Sequence, residues 1–396
     1  MLKKLFLITV MISMSMMGYA LPESHGQWVL FLSNPSADNR YNTSSYAEEL
    51  KQQGVNIMTP DLGERADTLT LEQKVMKLMT EATKATRMPI HILAFGEELA
   101  TACLASELYP QFVDRILAVG GEQSADAVLH CPLKMVPGEE KFKKVWPEVK
   151  QYFSADLKDI LEPLPASAKR VLFDLSHSQC TDTFKGYETY PYLIPAYTRM
   201  LHELGVELVV NQDKELTPEL LKDIDLVLMT SPLSNKLQKN LTAVERKALT
   251  SQVGGGKSLI FFIDDFHRCD NNAYGANEVT APFGVFFEKD VRVPFNVGAV
   301  SIQNKIFSRR LEIPFSGATL MTGGVPVSLS MQDGYVHASV VELENGGKLY
   351  AGSDTMVGLL LGFADGERLK MNMMDTRWWG KDSYQYMQEL VQWMLK

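Results

Sequence analysis

Positive charge is scarce in this sequence: 39 Lys and Arg stand against 48 Asp and Glu, a net charge of −9. No Lys/Arg-rich run offsets the imbalance locally, so nucleic acid and anionic membrane are excluded as partners. Cysteine is sparse, with four in 396 residues. None of them forms a C-x-x-C pair and no H-E-x-x-H occurs, so the common zinc spacings are missing. Long hydrophobic runs are missing too beyond the first twenty residues, which leaves no further candidate for a membrane span. No cofactor is expected.

What is present is ordinary for a soluble globular chain: 45% hydrophobic and 22% charged residues. A length of 396 residues exceeds a single typical core and points to two domains. Residues 1–20 stand apart. Lys3 and Lys4 precede an apolar, Met-rich run from Leu5 to Met17, and Gly18-Tyr19-Ala20 places small residues at −3 and −1 of a cleavage site. This pattern predicts a cleaved secretory signal and a bacterial periplasmic or extracellular protein, with no membrane attachment after cleavage. No cysteine follows the run to serve as a lipoprotein anchor. In an exported chain Cys180 and Cys269, each a few residues beyond a predicted strand, are a plausible disulfide pair. Cys103, in the apolar helical run LATACLASEL, reads as a buried small residue.

From Gln27 strand and helix patterns alternate. WVLFLS, VNIM, IHILAF, ILAVGG and PLKMVP are strand-like, and helices are predicted over Tyr46–Gln53, from Thr70 to about Ala85, and over GEELATACLASELY. Thr70 and Gln73 make a capping box. LEPLPASAK reads as a linker, dividing the mature chain into 21–165 and 168–396. The second part starts again with RVLFDLS, a helix over about Tyr192 to Leu204, VELVVN, a Thr217-Pro218 helix start, DLVLMTSP, a capping box at Thr242 and Glu245, and KSLIFFID. Residues 283 to 351 lose helical periodicity and predict short strands, KLYAGSD is a late strand, and Tyr384 to Leu395 a closing amphipathic helix. The fold class is α/β: two tandem doubly wound, mostly parallel sheets, the second with an inserted β-rich segment.

Gly254-Gly255-Gly256-Lys257-Ser258 imitates the tail of a phosphate-binding loop. That loop follows a strand and opens a helix, whereas here a helix precedes and a strand follows. The glycines predict a helix end and a tight turn. Just beyond, Asp264, Asp265 and His267 follow an apolar strand, at the end where open α/β sheets place ligands. Asp174 and His177 end the first strand of the second part, and Asp354 ends the last. If these strands are neighbours, one sheet edge gathers carboxylates and imidazoles; Asp at such ends also commonly caps the next turn.

The segments YAEELKQQGVNIMTPDLG and IHILAFGEELATACLASELYPQFVDRILAVGG resemble the α/β-hydrolase family over about 110 residues. The family's nucleophile elbow reads G-x-S-x-G. Here Ala94-Phe95-Gly96-Glu97-Glu98 fills it, with Gly96 in the serine's place. The second part resembles the class I glutamine amidotransferase-like fold through LFDLSHSQ, DIDLVLMTSP, LTAVERKALTSQVGGGKSLIFFIDD, KLYAGSDTMV and DSYQYMQELVQWML. The branch it resembles is the non-catalytic one of gliding-motility and intraflagellar-transport proteins and related bacterial domains. Catalytic amidotransferases carry a cysteine where this chain has Asp264-Asp265. The resemblance implies ligand binding, of saccharides for example, at Asp174, His177, Asp264, Asp265 and Asp354.

In MNMMDTRWWGKDSYQY, Trp378 and Trp379 offer flat faces that could stack on a sugar ring or could lid the core. The methionines there suit packing better than copper. Two functions stay open. One is a non-catalytic binding or scaffold protein whose ligand is a glycan or a protein partner. The other is a hydrolase in which Asp265 or His267 acts as general base while Asp174 and His177 orient substrate or metal.

Overall fold

The computed structural model describes residues 26–61, 68–178, 180, 190–232, 234–292, 297–315, 318–362 and 382–396. Trp378 and Trp379 lie outside them.

Two sheets organise the chain. The first contains β1 (Trp28–Leu32), β2 (Asn56–Met58), β3 (Ile90–Phe95), β4 (Val113–Val119) and β5 (Leu133–Val136), all parallel, in the order β2-β1-β3-β4-β5. Every residue of β3 and β4 is buried, which is why both are mostly apolar rather than alternating, broken only by His91 in β3 and by Asp114 and Arg115 in β4. The second sheet has nine strands. Its parallel part is β6 (Arg170–Asp174), β7 (Glu207–Asn211), β8 (Leu226–Met229), β9 (Ser258–Phe262) and β16 (Lys348–Gly352), ordered β7-β6-β8-β9-β16. Both parallel sets therefore share one winding, in which the second strand lies on one side of the first and the others run out on the opposite side.

The β-rich insertion lies between β9 and β16. β10 (Val285–Arg292) and β13 (Ala318–Gly323) make a two-stranded ribbon. β11 (Val297–Ser301), β12 (Glu312–Phe315), β14 (Val325–Ser330) and β15 (Val336–Glu342) extend the large sheet antiparallel beyond β16.

Local chemistry sets the helix ends. Thr70 and Thr242 form capping boxes with Gln73 and Glu245. The helix Ala243–Gly254 closes at Gly255, and Gly256 takes φ +90° before β9 begins, so the Gly-Gly-Gly-Lys-Ser run is a helix end and a turn. Among the described residues, two helices of seven or more residues are absent from the sequence reading. Pro35–Tyr41 starts at Asn34, whose side chain accepts from the Ala37 N–H at 2.8 Å, with proline in the first turn where its missing N–H costs nothing. Phe142–Ser154 holds Pro147 in its interior, yet Val145, Val149, Tyr152 and Phe153 still form a buried stripe; the apolar face outweighs the proline.

One apolar core joins the sheets. It takes Leu30, Ile92 and Ile116 from the first sheet and Val171, Phe173 and Ile260 from the second. Each sheet's other face has its own cluster. Within the joint core, Arg199 of the helix Leu193–Glu203 is only 1% exposed. Its guanidinium donates to Asp114 Oδ1 at 2.6 Å and to the Pro110 carbonyl at 2.8 Å. Arg115 Nε donates to Asp114 Oδ2 at 2.8 Å, and its NH1 group donates to the Tyr152 and Ala155 carbonyls. His91 Nε2 lies 3.4 Å from the same carboxylate. Burial alone would raise the Asp114 pKa, but these cations and the His91 hydrogen bond hold it well below the usual carboxylate range.

Candidate functional site

In sheets wound this way ligands sit beyond the carboxyl ends of the strands, where the connections reverse direction. In the first sheet this place falls between β1 and β3. Gly96, after β3, holds φ +57°, the left-handed region that glycine enters without strain. A Cβ at Gly96 would lie 3.2 Å from the Tyr41 ring, one at Gly120 2.7 Å from the Tyr41 hydroxyl, and one at Gly138 2.4 Å from the ring. Tyr41 comes from the helix Pro35–Tyr41, is 8% exposed, and fills the place into which any side chain at position 96 would project. The aromatic residue and three glycines close the first strand-end site sterically.

In the second sheet the corresponding place falls between β6 and β8, and polar chemistry closes it. Asp174 ends β6, and a one-turn helix Leu175–Ser178 turns His177 back onto it. His177 Nδ1 lies 2.6 Å from Asp174 Oδ2, and Nε2 lies 3.3 Å from Glu245 Oε1. Asp174 Oδ1 accepts from Ser176 at 2.8 Å and from the Asn211 amide at 2.7 Å. Glu245 takes the Leu216 N–H on Oε1 and the Thr242 N–H on Oε2. Asp174, His177 and Glu245 are all 0% exposed. Burial works against charge on His177, but hydrogen bonds and attraction from both carboxylates raise its pKa to about 8. Burial opposes charge on Glu245 as well, and His177 with two backbone N–H groups outweighs it, bringing the pKa down to about 2. The three side chains form a buried carboxylate–imidazolium–carboxylate group.

The remaining sequence candidates are placed separately. β9 and β16 are neighbours, but β8 lies between β9 and β6, so Asp174 and Asp264 stand about 10 Å apart at the strand spacing. Asp264 Oδ1 accepts the Asp265 N–H at 2.8 Å, Asp265 Oδ1 the His267 N–H at 2.8 Å, and Asp354 Oδ1 the Met356 N–H at 2.7 Å. These are turn and cap bonds. Asp264, Asp265 and Asp354 are buried, and among the six candidates only His267 is exposed. Burial first, then the Asp265 charge, raise the Asp264 pKa to about 6 against the opposing pull of Arg268, whose Nε is 3.6 Å away. Along the expected edge the carboxylates are therefore buried and bonded to backbone, and the His267 side chain alone is exposed. No cluster of three or more His, Cys, Asp or Glu among the described residues is arranged to hold a metal.

The expected Cys180–Cys269 disulfide is not formed. Both thiols are free; Cys180 belongs to the core shared by the sheets and Cys269 to the cluster on the opposite face of the second sheet. A strand run cannot reveal which face the following loop takes, and here the two loops take different faces.

Three contributors escape the sequence reading. Tyr41 lies in a helix that was not anticipated. In the sequence Glu245 shows only as the partner of the Thr242 cap, although its Oε1 lies 3.3 Å from His177 Nε2. The Asp114–Arg199 pair left one signal: adjacent charges inside the apolar run VDRILAV, which require partners if that strand is buried.

No family model and no curated protein matches this chain. Among solved structures it is similar to MurG of Acinetobacter baumannii, with 12% identity over 65% of this chain and 83% of that one and a TM-score of 0.20. A TM-score that low carries no argument. No helix among the described residues is long and apolar enough to cross a membrane.

Proposed function

We propose that this is an exported, non-catalytic binding or scaffold protein built on two enzyme-like α/β halves, its partner a glycan or another protein. The leader pattern of residues 1–20 supports export. The sequence resemblances support a hydrolase-like first half and an amidotransferase-like second half, each without its nucleophile. One observation carries the non-catalytic reading: the elbow position holds Gly96 at φ +57°, and Tyr41 occupies the space a nucleophile would need. Reactive groups must reach substrate to work. In the second half Asp174, His177 and Glu245 face one another in a group closed to solvent.

The test uses the mature chain from Leu21 with activated ester, amide and glycoside substrates, beside Asp265→Ala and His267→Ala. The expected result is hydrolysis indistinguishable from buffer in all three proteins. Turnover by the wild type that either substitution removes would overturn the proposal in favour of a carboxylate–histidine hydrolase.

A further inference from the structure

No run of the sequence is rich in lysine, but the fold gathers four lysines from distant places. Lys169 precedes β6, Lys348 begins β16, Lys305 lies in the connection from β11 to β12, and Lys396 follows the helix Ser383–Met394. Lys169 and Lys348 mark the amino ends of their strands, the opposite end of the second sheet from the Asp174 group.

Trp393 of the closing helix lies at the centre. Lys348 Nζ is 5.3 Å and Lys305 Nζ 5.6 Å from the centre of its ring, the reach of a cation over an aromatic face. Lys169 donates to the Leu395 carbonyl at the end of the same helix. Cations favour that end of a helix, which accounts for Lys169 and leaves Lys348 to be explained. Lys348 is only 5% exposed, yet its ammonium has no hydrogen bond or ion pair among the described residues. That ammonium is not one of the polar atoms sealed from solvent; the buried part of the side chain is its apolar stem. Glu342 stands directly opposite Lys348 in the β15–β16 register, but its carboxylate pairs with Lys305. Burial and repulsion from Lys169, Lys305 and Lys396 lower the Lys348 pKa, with Glu342 pulling the other way.

Four ammonium groups thus crowd around one carboxylate in a chain whose net charge is −9. Such crowding costs stability through repulsion, and a bound anion removes the cost. The donors select its class. Lysine presents a compact point charge, whereas arginine presents the planar fork that matches a carboxylate. No arginine stands among the charges that act on Lys348. Several point charges converging from different elements suit a compact ion with oxygens on all sides. We propose that Lys169, Lys305, Lys348 and Lys396 bind a phosphoryl group, as the free ion or as a monoester, with Lys348 at the centre. The site lies apart from both strand-end sites and stands whether or not the chain is catalytic.

Calorimetric titration of the mature chain with inorganic phosphate and with glycerol 1-phosphate, at fixed ionic strength, tests the proposal. Lys348→Met keeps the stem against Trp393 and removes the charge, and Lys396→Gln removes an exposed charge. Lys236→Gln, an exposed position beyond the carboxyl end of β8, changes the net charge equally and is the control. The expected result is saturable binding of at least one anion, weakened about tenfold by Lys348→Met, about threefold by Lys396→Gln and not by Lys236→Gln. Tighter binding of inorganic phosphate supports a free ion as ligand, and tighter binding of the ester supports a phosphorylated molecule. Absence of saturable binding overturns the proposal, as does binding that Lys348→Met retains or an equal loss in Lys236→Gln. Should Lys348→Met melt early, Lys396→Gln decides: binding that it retains in full overturns the proposal.

Discussion

His91 on β3 and His177 after β6 are each buried against an aspartate, one in each half of the molecule, and their pKa values move in opposite directions. Asp114, beside His91, is already neutralised by Arg115 and Arg199. Burial therefore dominates and the His91 pKa falls, with Asp114 pulling upward and the two arginines adding to the drop. Gln27 Nε2 sits 2.7 Å from His91 Nδ1, as suits a neutral ring accepting a hydrogen bond. His177 has two carboxylates and no competing cation within its group. The comparison teaches that a neighbouring carboxylate makes a histidine cationic only when nothing else has neutralised that carboxylate first.

Breaking either group should give the largest effects. Asp114→Ala leaves Arg115 and Arg199 buried without their anion, and His177→Ala leaves Asp174 and Glu245 buried without their cation. Each should lose about 3–5 kcal/mol of stability in urea titrations. A loss below about 1 kcal/mol would mean that water reaches the group.

Stability against pH sharpens the contrast. The folded pKa of His177, about 8, lies above its unfolded value near 6.5. Its contribution of about 2 kcal/mol is therefore complete below pH 6.5 and lost as pH rises through 8. His91 has its folded pKa depressed, so its contribution is present above about pH 6.5 and lost as pH falls. Melting temperature measured from pH 5 to 9 should fall on the alkaline side in the wild type, and His177→Ala should lack that alkaline decline.

The steric closure of the first half gives a smaller effect. Gly96→Ala places a Cβ at positive φ and against Tyr41, and should cost about 1–2 kcal/mol from the backbone alone. In a Tyr41→Ala background the cost should shrink by whatever part is steric, a coupling that a double-mutant cycle reads directly. The smallest effect belongs to the exposed His267: His267→Ala should stay within about 0.5 kcal/mol of wild type.

Much of the architecture is legible in the sequence because its signals are local. Alternating strand and helix patterns, the capping boxes at Thr70 and Thr242, and the glycine-closed end of the Ala243–Gly254 helix depend on neighbours within a few residues. The candidate site is less legible because it depends on which strands become neighbours. Asp174 and His177 are three residues apart and meet as a turn of helix dictates, whereas Glu245 arrives from a helix 68 positions later. Asp264 and Asp354 follow adjacent strands, yet Oδ1 of each accepts a backbone N–H just ahead of it. The β-rich insertion was visible only as a loss of helical period, since strand pairing there is set by contacts distant in sequence. Pro147 hid a helix that packing alone maintains.

Arg199 has a consequence for how the halves can exist. It is rooted in the second half, but its charge is answered by Asp114 in the first, inside a core that both sheets share. Either half made alone would expose an apolar face and strand an ionised group made for burial. The seam near residues 165–168 divides the sequence, but with this shared core the chain should melt in one transition rather than two. A newly recruited module could replace one half only by supplying a counter-charge at the same depth, so the two halves are bound to evolve together.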